Sequence, residues 1–233
     1  MTRGLAIVGY GKMGQMIARL APEYGFAVRA TFSGIDNSSA RALTAESLQG
    51  VDVAVEFTHP EAAVANLQRL AAFGVATVCG TTGWFAELDA LKRRLNTNGG
   101  GLVWGSNFSV GVNLFREVVA EAARRFAREE SYGAWGWEIH HAAKKDSPSG
   151  TLLALAETMK GSGFAREISL SANRAGSAPG THEIGFDSAE DTITIRHTAR
   201  SREGFARGAL RAANWVIGKK GVYEFREILS ELA

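Results

Sequence analysis

Apolar and polar positions follow two rhythms along the first hundred residues. Leu5–Val8, Ala27–Phe32, Asp52–Phe57, Val75–Cys79 and Gly101–Trp104 are short apolar or β-branched runs, which predicts five buried strands. Between them, Lys12–Glu23, Pro60–Phe73 and Phe85–Leu95 carry apolar residues at helical spacing, as Met13, Met16, Ile17 and Leu20 do in the first. Short connections in a strand–helix alternation predict a parallel sheet covered by helices. A further helix is expected from about Val110 to Arg128.

Past that helix the rhythm changes. Tyr132–His140, Glu167–Asn173, His182–Asp187 and Thr192–Thr198 are predicted strands, with Ser149–Lys160 and Glu203–Ile217 as helices and Val222–Leu229 as a short terminal element. The expected fold class is α/β, a parallel sheet followed by a smaller α+β domain with a mixed sheet. Residues 1–108 are expected to form the first domain and 109–214 the second, with 215–233 packing back on the first.

Composition narrows the function classes. The 233 residues are 45% apolar, which fits a folded chain rather than a disordered one. Basic residues number 26 and acidic ones 24, so charge argues for neither nucleic acid nor a membrane surface as main partner. A single cysteine excludes an internal disulfide and a cysteine-based metal site. The N-terminus runs into a strand without signal-peptide architecture, so a soluble cytoplasmic protein is expected. The 27 glycines ask where the backbone must approach something closely.

Gly9-Tyr10-Gly11-Lys12-Met13-Gly14, after Val8 and before a helix, answers that question. The first glycine permits a tight turn, the second lets a pyrophosphate reach the backbone, and the third lets helix and strand pack closely. An acid at the end of the second strand would select NADH. Ser33-Gly34 stands there instead, with Asp36 late and Arg29 and Arg41 nearby, which leaves NADH or NADPH open. Gly80-Thr81-Thr82-Gly83 and Gly105-Ser106-Asn107-Phe108 end two further strands at the edge where such sheets bind ligands. Cys79 reads as a buried small hydrophobe rather than a nucleophile.

The densest polar stretch runs from Glu138 to Thr151. His140 and His141 are adjacent on a strand and point to opposite faces, so no metal is expected from the pair. Lys144 precedes Ser149-Gly150-Thr151 at a helix start, which suits a substrate bearing a carboxylate.

Together the glycine loop, Val55-Glu56-Phe57-Thr58-His59-Pro60, Gly80–Gly83, Ser106–Asn113 and His140-His141-Ala142-Ala143-Lys144-Lys145-Asp146-Ser147-Pro148-Ser149-Gly150-Thr151 resemble the dihydrodipicolinate reductase family. The resemblance implies a Rossmann domain and a domain that binds substrate and builds a homotetramer. It implies reduction by NADH or NADPH of a cyclic imine carrying two carboxylates, in the diaminopimelate route to lysine. By the same resemblance His140 is the acid/base residue and Lys144 the proton donor. His141, Lys144, Ser149, Gly150 and Thr151 bind substrate, and Val8–Gly14, Ser33, Gly80–Thr82 and Gly105–Phe108 bind cofactor. Glu56 stands where the family commonly has aspartate. Two rivals remain: a dehydrogenase of small amino or imino acids on this architecture, and a cofactor sensor without turnover.

Overall fold

A computed structural model describes residues 2–34, 37–98 and 100–232. In chain order the elements are β1 (Arg3–Val8), α1 (Lys12–Leu20), β2 (Phe26–Phe32), β3 (Val53–Glu56), α2 (Pro60–Ala72), β4 (Ala76–Cys79), α3 (Leu88–Asn98) and β5 (Gly101–Trp104). There follow α4 (Val110–Phe126), β6 (Gly133–His140), α5 (Gly150–Gly161), β7 (Ile168–Arg174), β8 (Thr181–Asp187), β9 (Thr192–Thr198), α6 (Glu203–Val216) and β10 (Gly221–Glu224). The chain divides into one unit of Met1–Ser109 with Glu203–Ala233 and a second of Val110–Arg202.

The first unit is a six-stranded sheet in the order β10-β5-β4-β3-β1-β2, with every pair parallel. β3 and β4 are buried at every position, as expected of strands covered on both faces. On one face Ala6, Val8 and Ala54 meet Leu70 of α2. On the other, Gly14 of α1 approaches Ile7, and α6 lies along β3, β4 and β5. The chain leaves β1 for β2 on one side and returns for β3 on the other. That reversal opens the crevice at the carboxyl ends of β1 and β3.

Three expectations change. The first helix ends at Leu20, and Ala21–Tyr24 tighten into a 3-10 turn closed by left-handed Gly25. Pro22 has no amide hydrogen to continue the helical ladder. The terminal element is an edge strand, β10, paired with β5 and followed by a 3-10 run from Phe225 to Glu231. Finally, the first unit regains the chain at Glu203, so all of α6 lies in it.

The second unit holds the sheet β7-β6-β8-β9, in which β6–β7 is parallel and β6–β8 and β8–β9 antiparallel. α4 and α5 cover one face through Phe115, Val119, Leu152, Leu155 and Met159 against Ala134, Ile184 and Phe186. The opposite face presents half-buried Trp135 and Trp137 beside exposed Ser169, Ser171 and Thr194. It is more polar than an uncovered core face, and Trp137 donates to Asn173 at 2.6 Å.

Candidate functional site

In the first unit the β-ladder continues into the loops at the sheet's carboxyl edge. The Gly9 amide donates to the Phe32 carbonyl at 2.8 Å, and the Phe57 amide to the Val8 carbonyl at 2.8 Å. Gly9 adopts φ +97, and a Cβ there would lie 2.2 Å from the Phe57 carbonyl oxygen, so no other residue fits. A Cβ on Gly14 would lie 2.2 Å from the Gly9 oxygen, which is the close helix–strand approach expected of the third glycine. Around Gly11 there is open space within 4 Å. Neither a side-chain cap nor a first-turn acid occupies the start of α1. The arrangement fits a dinucleotide pyrophosphate: open backbone at Gly11, a positive helix end, and no competing carboxylate.

Of the other expected cofactor residues, Tyr10, Lys12, Thr82 and Ser106 are exposed, while Met13, Ser33, Gly80 and Asn107 are half-buried. Val8, Thr81, Gly105 and Phe108 are buried and act within the fold. Thr81 Oγ1 accepts the Thr58 amide at 2.8 Å, tying the end of β3 to that of β4. The Phe108 ring packs tilted against Phe225, with centroids 4.6 Å apart. A cavity of about 260 Å3 beside β2 is lined by Ser33, Gly34, Ser38, His59, Glu61 and Asn66, among others. Asp36 lies outside the described residues. Behind this cavity, buried Glu56 accepts hydrogen bonds from Thr58, Asn66 and Cys79. Burial and the Glu56 carboxylate push the Cys79 thiol well up, so it is no thiolate nucleophile.

In the second unit the period of β6 turns Glu138 and His140 to the covered face, and strand register supplies their partners. His182 of β8 stands opposite Glu138, and Arg174 of β7 opposite His140. The Glu138 carboxylate, fully buried, accepts Arg174 Nη2 and the Ser149 amide, each at 2.8 Å. The Ser149 hydroxyl donates to the same carboxylate, while its oxygen accepts the Leu152 amide at 3.2 Å as the N-cap of α5. Both polar groups of Ser149 are therefore committed within the unit. Gly150, exposed, and Thr151, half-buried, remain at the helix start. Lys144 Nζ pairs with Asp146 at 2.7 Å, and His141 Nε2 lies 3.4 Å from Arg202 Nη2.

Electrostatics sort these groups. Burial lowers the pKa of His140; the Glu138 carboxylate opposes this but the Lys144 and Arg174 charges add to it, so the ring is neutral at neutral pH. His182 is pushed down to about 4, by burial first and then by His140. Burial opposes ionisation of Glu138, but the Ser149 and Arg174 hydrogen bonds outweigh it and hold the carboxyl below its usual range. The Lys144 ammonium, against a burial effect that raises it, holds Asp146 low, and its own backbone amide and that of Gly150 add to this. Glu138, His140 and His182 place ligand-type atoms within 4.8 Å of one another. Ser149 and the Arg174 guanidinium already take the carboxylate, and those contacts disfavour an added cation. Nothing local in the sequence marks this trio, because His182 is 44 residues from Glu138 and only register joins them.

A glycine loop at the reversal of a parallel sheet, in a chain that carries a second, mixed-sheet unit, defines the class of nicotinamide-dependent oxidoreductases. The match is more specific than that class. Residues 4–108 match the family model of the dihydrodipicolinate reductase N-terminus, and residues 111–229 that of its C-terminus. The chain belongs to the dihydrodipicolinate reductase family. It is 34% identical over 239 residues to the 4-hydroxy-tetrahydrodipicolinate reductase of Christiangramia forsetii, covering 98% of both chains. It is 33% identical to the enzyme of that name from Methanoregula boonei, covering 94% of each. In fold it is similar to a dipicolinate-bound dihydrodipicolinate reductase from Paenisporosarcina sp. TG-14, with TM-score 0.77, 22% identity, and 98% and 100% of the two chains covered. An amine dehydrogenase from Mycobacterium smegmatis shares the fold at TM-score 0.62 and 12% identity, covering 97% of this chain and 96% of that one.

Proposed function

We propose that the protein reduces 4-hydroxy-tetrahydrodipicolinate to tetrahydrodipicolinate with NADH or NADPH, in the diaminopimelate route to lysine. One observation carries the residue-level reading: exposed Asp146 joins the Lys144 ammonium, at 2.7 Å, to the Gly150 amide at the start of α5. A substrate carboxylate replaces Asp146 there, binding to Lys144 and to the amides of Gly150 and Thr151, with His141 at the rim. Ser149 shapes that seat as the cap of α5 rather than donating to the ligand.

The reduced nicotinamide, bound along Gly9–Gly14, Ser33, Gly80, Thr82, Ser106 and Asn107, with buried Val8, Thr81, Gly105 and Phe108 shaping that seat from behind, supplies the hydride. Removing the ring hydroxyl consumes a hydride and a proton and releases water. Lys144 Nζ donates the proton, and its charge stabilises the electrons that hydride addition pushes into the conjugated ring. Neutral His140 tunes that donor or relays its proton from within the unit. Residues 1–109 with 203–233 serve the cofactor, and residues 110–202 the substrate and assembly.

A homotetramer would form through the second unit, with the half-buried indoles of Trp135 and Trp137 on its open, polar sheet face as the contact. No described helix is long and apolar enough to cross a membrane, and a cytoplasmic place suits the proposed biosynthetic role. The architecture shared with the amine dehydrogenase keeps one rival reading in play. Comparing cofactor oxidation with the cyclic imine against open-chain 2-oxo acids plus ammonia separates the two. Oxidation confined to the cyclic imine is expected; preference for the open-chain acids overturns the proposal.

A further inference from the structure

One carboxylate at the base of the second unit gathers more partners than a sheet residue needs. Glu138 is fully buried, and around its two oxygens stand the Ser149 amide at 2.8 Å, the Ser149 hydroxyl, Arg174 Nη2 at 2.8 Å and His182 Nε2 at 3.2 Å. His140 Nδ1 faces the same carboxylate from 3.7 Å and has no hydrogen-bond partner. With Glu138 ionised and His182 neutral, the proton of His182 sits on Nε2, where it meets the carboxylate. Three strands and a helix start are thus fastened to one charge. An unmet charge in such a place is costly, so a persistent hub at this position needs all of its donors.

We propose that Glu138 is a positioning residue for the carboxylate seat of the substrate, fixing Ser149 at the mouth of α5, and that Arg174 and His182 hold Glu138 in place. The path is short. Glu138 fixes both polar groups of Ser149, and Ser149 caps Leu152. The cap sets the direction of the Gly150 and Thr151 amides, which hold the substrate carboxylate in the reading above. Glu138 touches neither substrate nor cofactor in this scheme. The inference rests on the proposed substrate class for its ligand, but not for its geometry.

The test uses the whole protein and two readouts, one of which needs no activity. Amide hydrogen exchange at Ser149 reports the anchor itself, and calorimetric titration with dipicolinate reports the seat. In Glu138→Gln the Ser149 amide should exchange about tenfold faster or more, and dipicolinate should bind about tenfold weaker or worse. NADH affinity should stay within about twofold, since its site is in the other unit. His182→Gln retains a donor toward Glu138 and should keep wild-type dipicolinate affinity, whereas His182→Phe lacks one and should weaken it severalfold. Should Glu138→Gln fail to fold, this histidine pair decides the matter alone. Unchanged Ser149 exchange with unchanged dipicolinate affinity in Glu138→Gln overturns the proposal, as does equal affinity in the two His182 variants. If the wild type binds no dipicolinate, the substrate reading fails, and Ser149 exchange still judges Glu138.

Discussion

Gly180 stands against the ring of His140: a Cβ on Gly180, which adopts φ +147, would lie 2.8 Å from His140 Nε2. The loop before β8 therefore sets where that ring lies. Gly180→Ala should strain the backbone and push His140 aside, destabilising the protein by about 1–3 kcal/mol. It should also lower kcat more than its effect on folding explains. Denaturant titration with kinetics below the transition checks both. An unchanged midpoint with unchanged turnover would mean the loop yields freely.

Acid should loosen the second unit through His182 before its carboxyls matter. His182 titrates near 6.5 when unperturbed and is pushed down to about 4 in the fold, so between these values the unfolded chain binds the extra proton. Stability present above pH 6.5 is therefore lost as pH falls toward 4, by up to about 3 kcal/mol at roughly 1.4 per unit. Glu138, held below its usual range, adds a further loss at still lower pH. Urea midpoints followed from about pH 7.5 to about 4, which spans the shift, should fall for wild type and fall less for His182→Gln.

Much of this was legible before any coordinates. Apolar runs placed the strands of the first sheet because a strand covered on both faces admits a polar residue only where a partner meets it, as Asn66 meets Glu56, and the predicted bounds of Gly101–Trp104 and Thr192–Thr198 match the structure. The glycine loop was readable because each glycine answers a separate steric demand. What local pattern could not carry was register. Nothing near Glu138 says that His182 pairs opposite it, or that Val222 adds a strand beside Leu102. Ser149 was readable as a helix opener, but that its hydroxyl turns inward to Glu138 depends on a tertiary partner.

Cofactor selection should be weak. The end of β2 offers Ser33 and Gly34 rather than a carboxylate, although Glu61 lines the neighbouring cavity. The ratio of kcat/KM for NADH and NADPH should lie within about a hundredfold, roughly 2.7 kcal/mol. Glu61→Gln should shift it severalfold toward NADPH by removing a charge that repels the 2′-phosphate. Initial rates at fixed substrate test this, and a larger preference for NADH would point to a selecting residue elsewhere.

In solution the chain should assemble beyond a monomer. Light scattering at micromolar concentration is expected to give about four times the 24.9 kDa chain mass. A single species of chain mass would refute the assembly, and Trp137→Glu on the open sheet face should dissociate it.

The most direct measurement follows absorbance near roughly 340 nm, where reduced nicotinamide absorbs, with substrate generated in place by the preceding synthase. Wild type should oxidise cofactor steadily once the synthase acts. Lys144→Ala should lose kcat sharply and raise KM, His140→Ala should lose kcat more than it alters KM, and Lys145→Ala should stay close to wild type. Tight cofactor binding without oxidation, or near wild-type turnover by Lys144→Ala at saturating substrate, would contradict the reductase chemistry placed at Lys144.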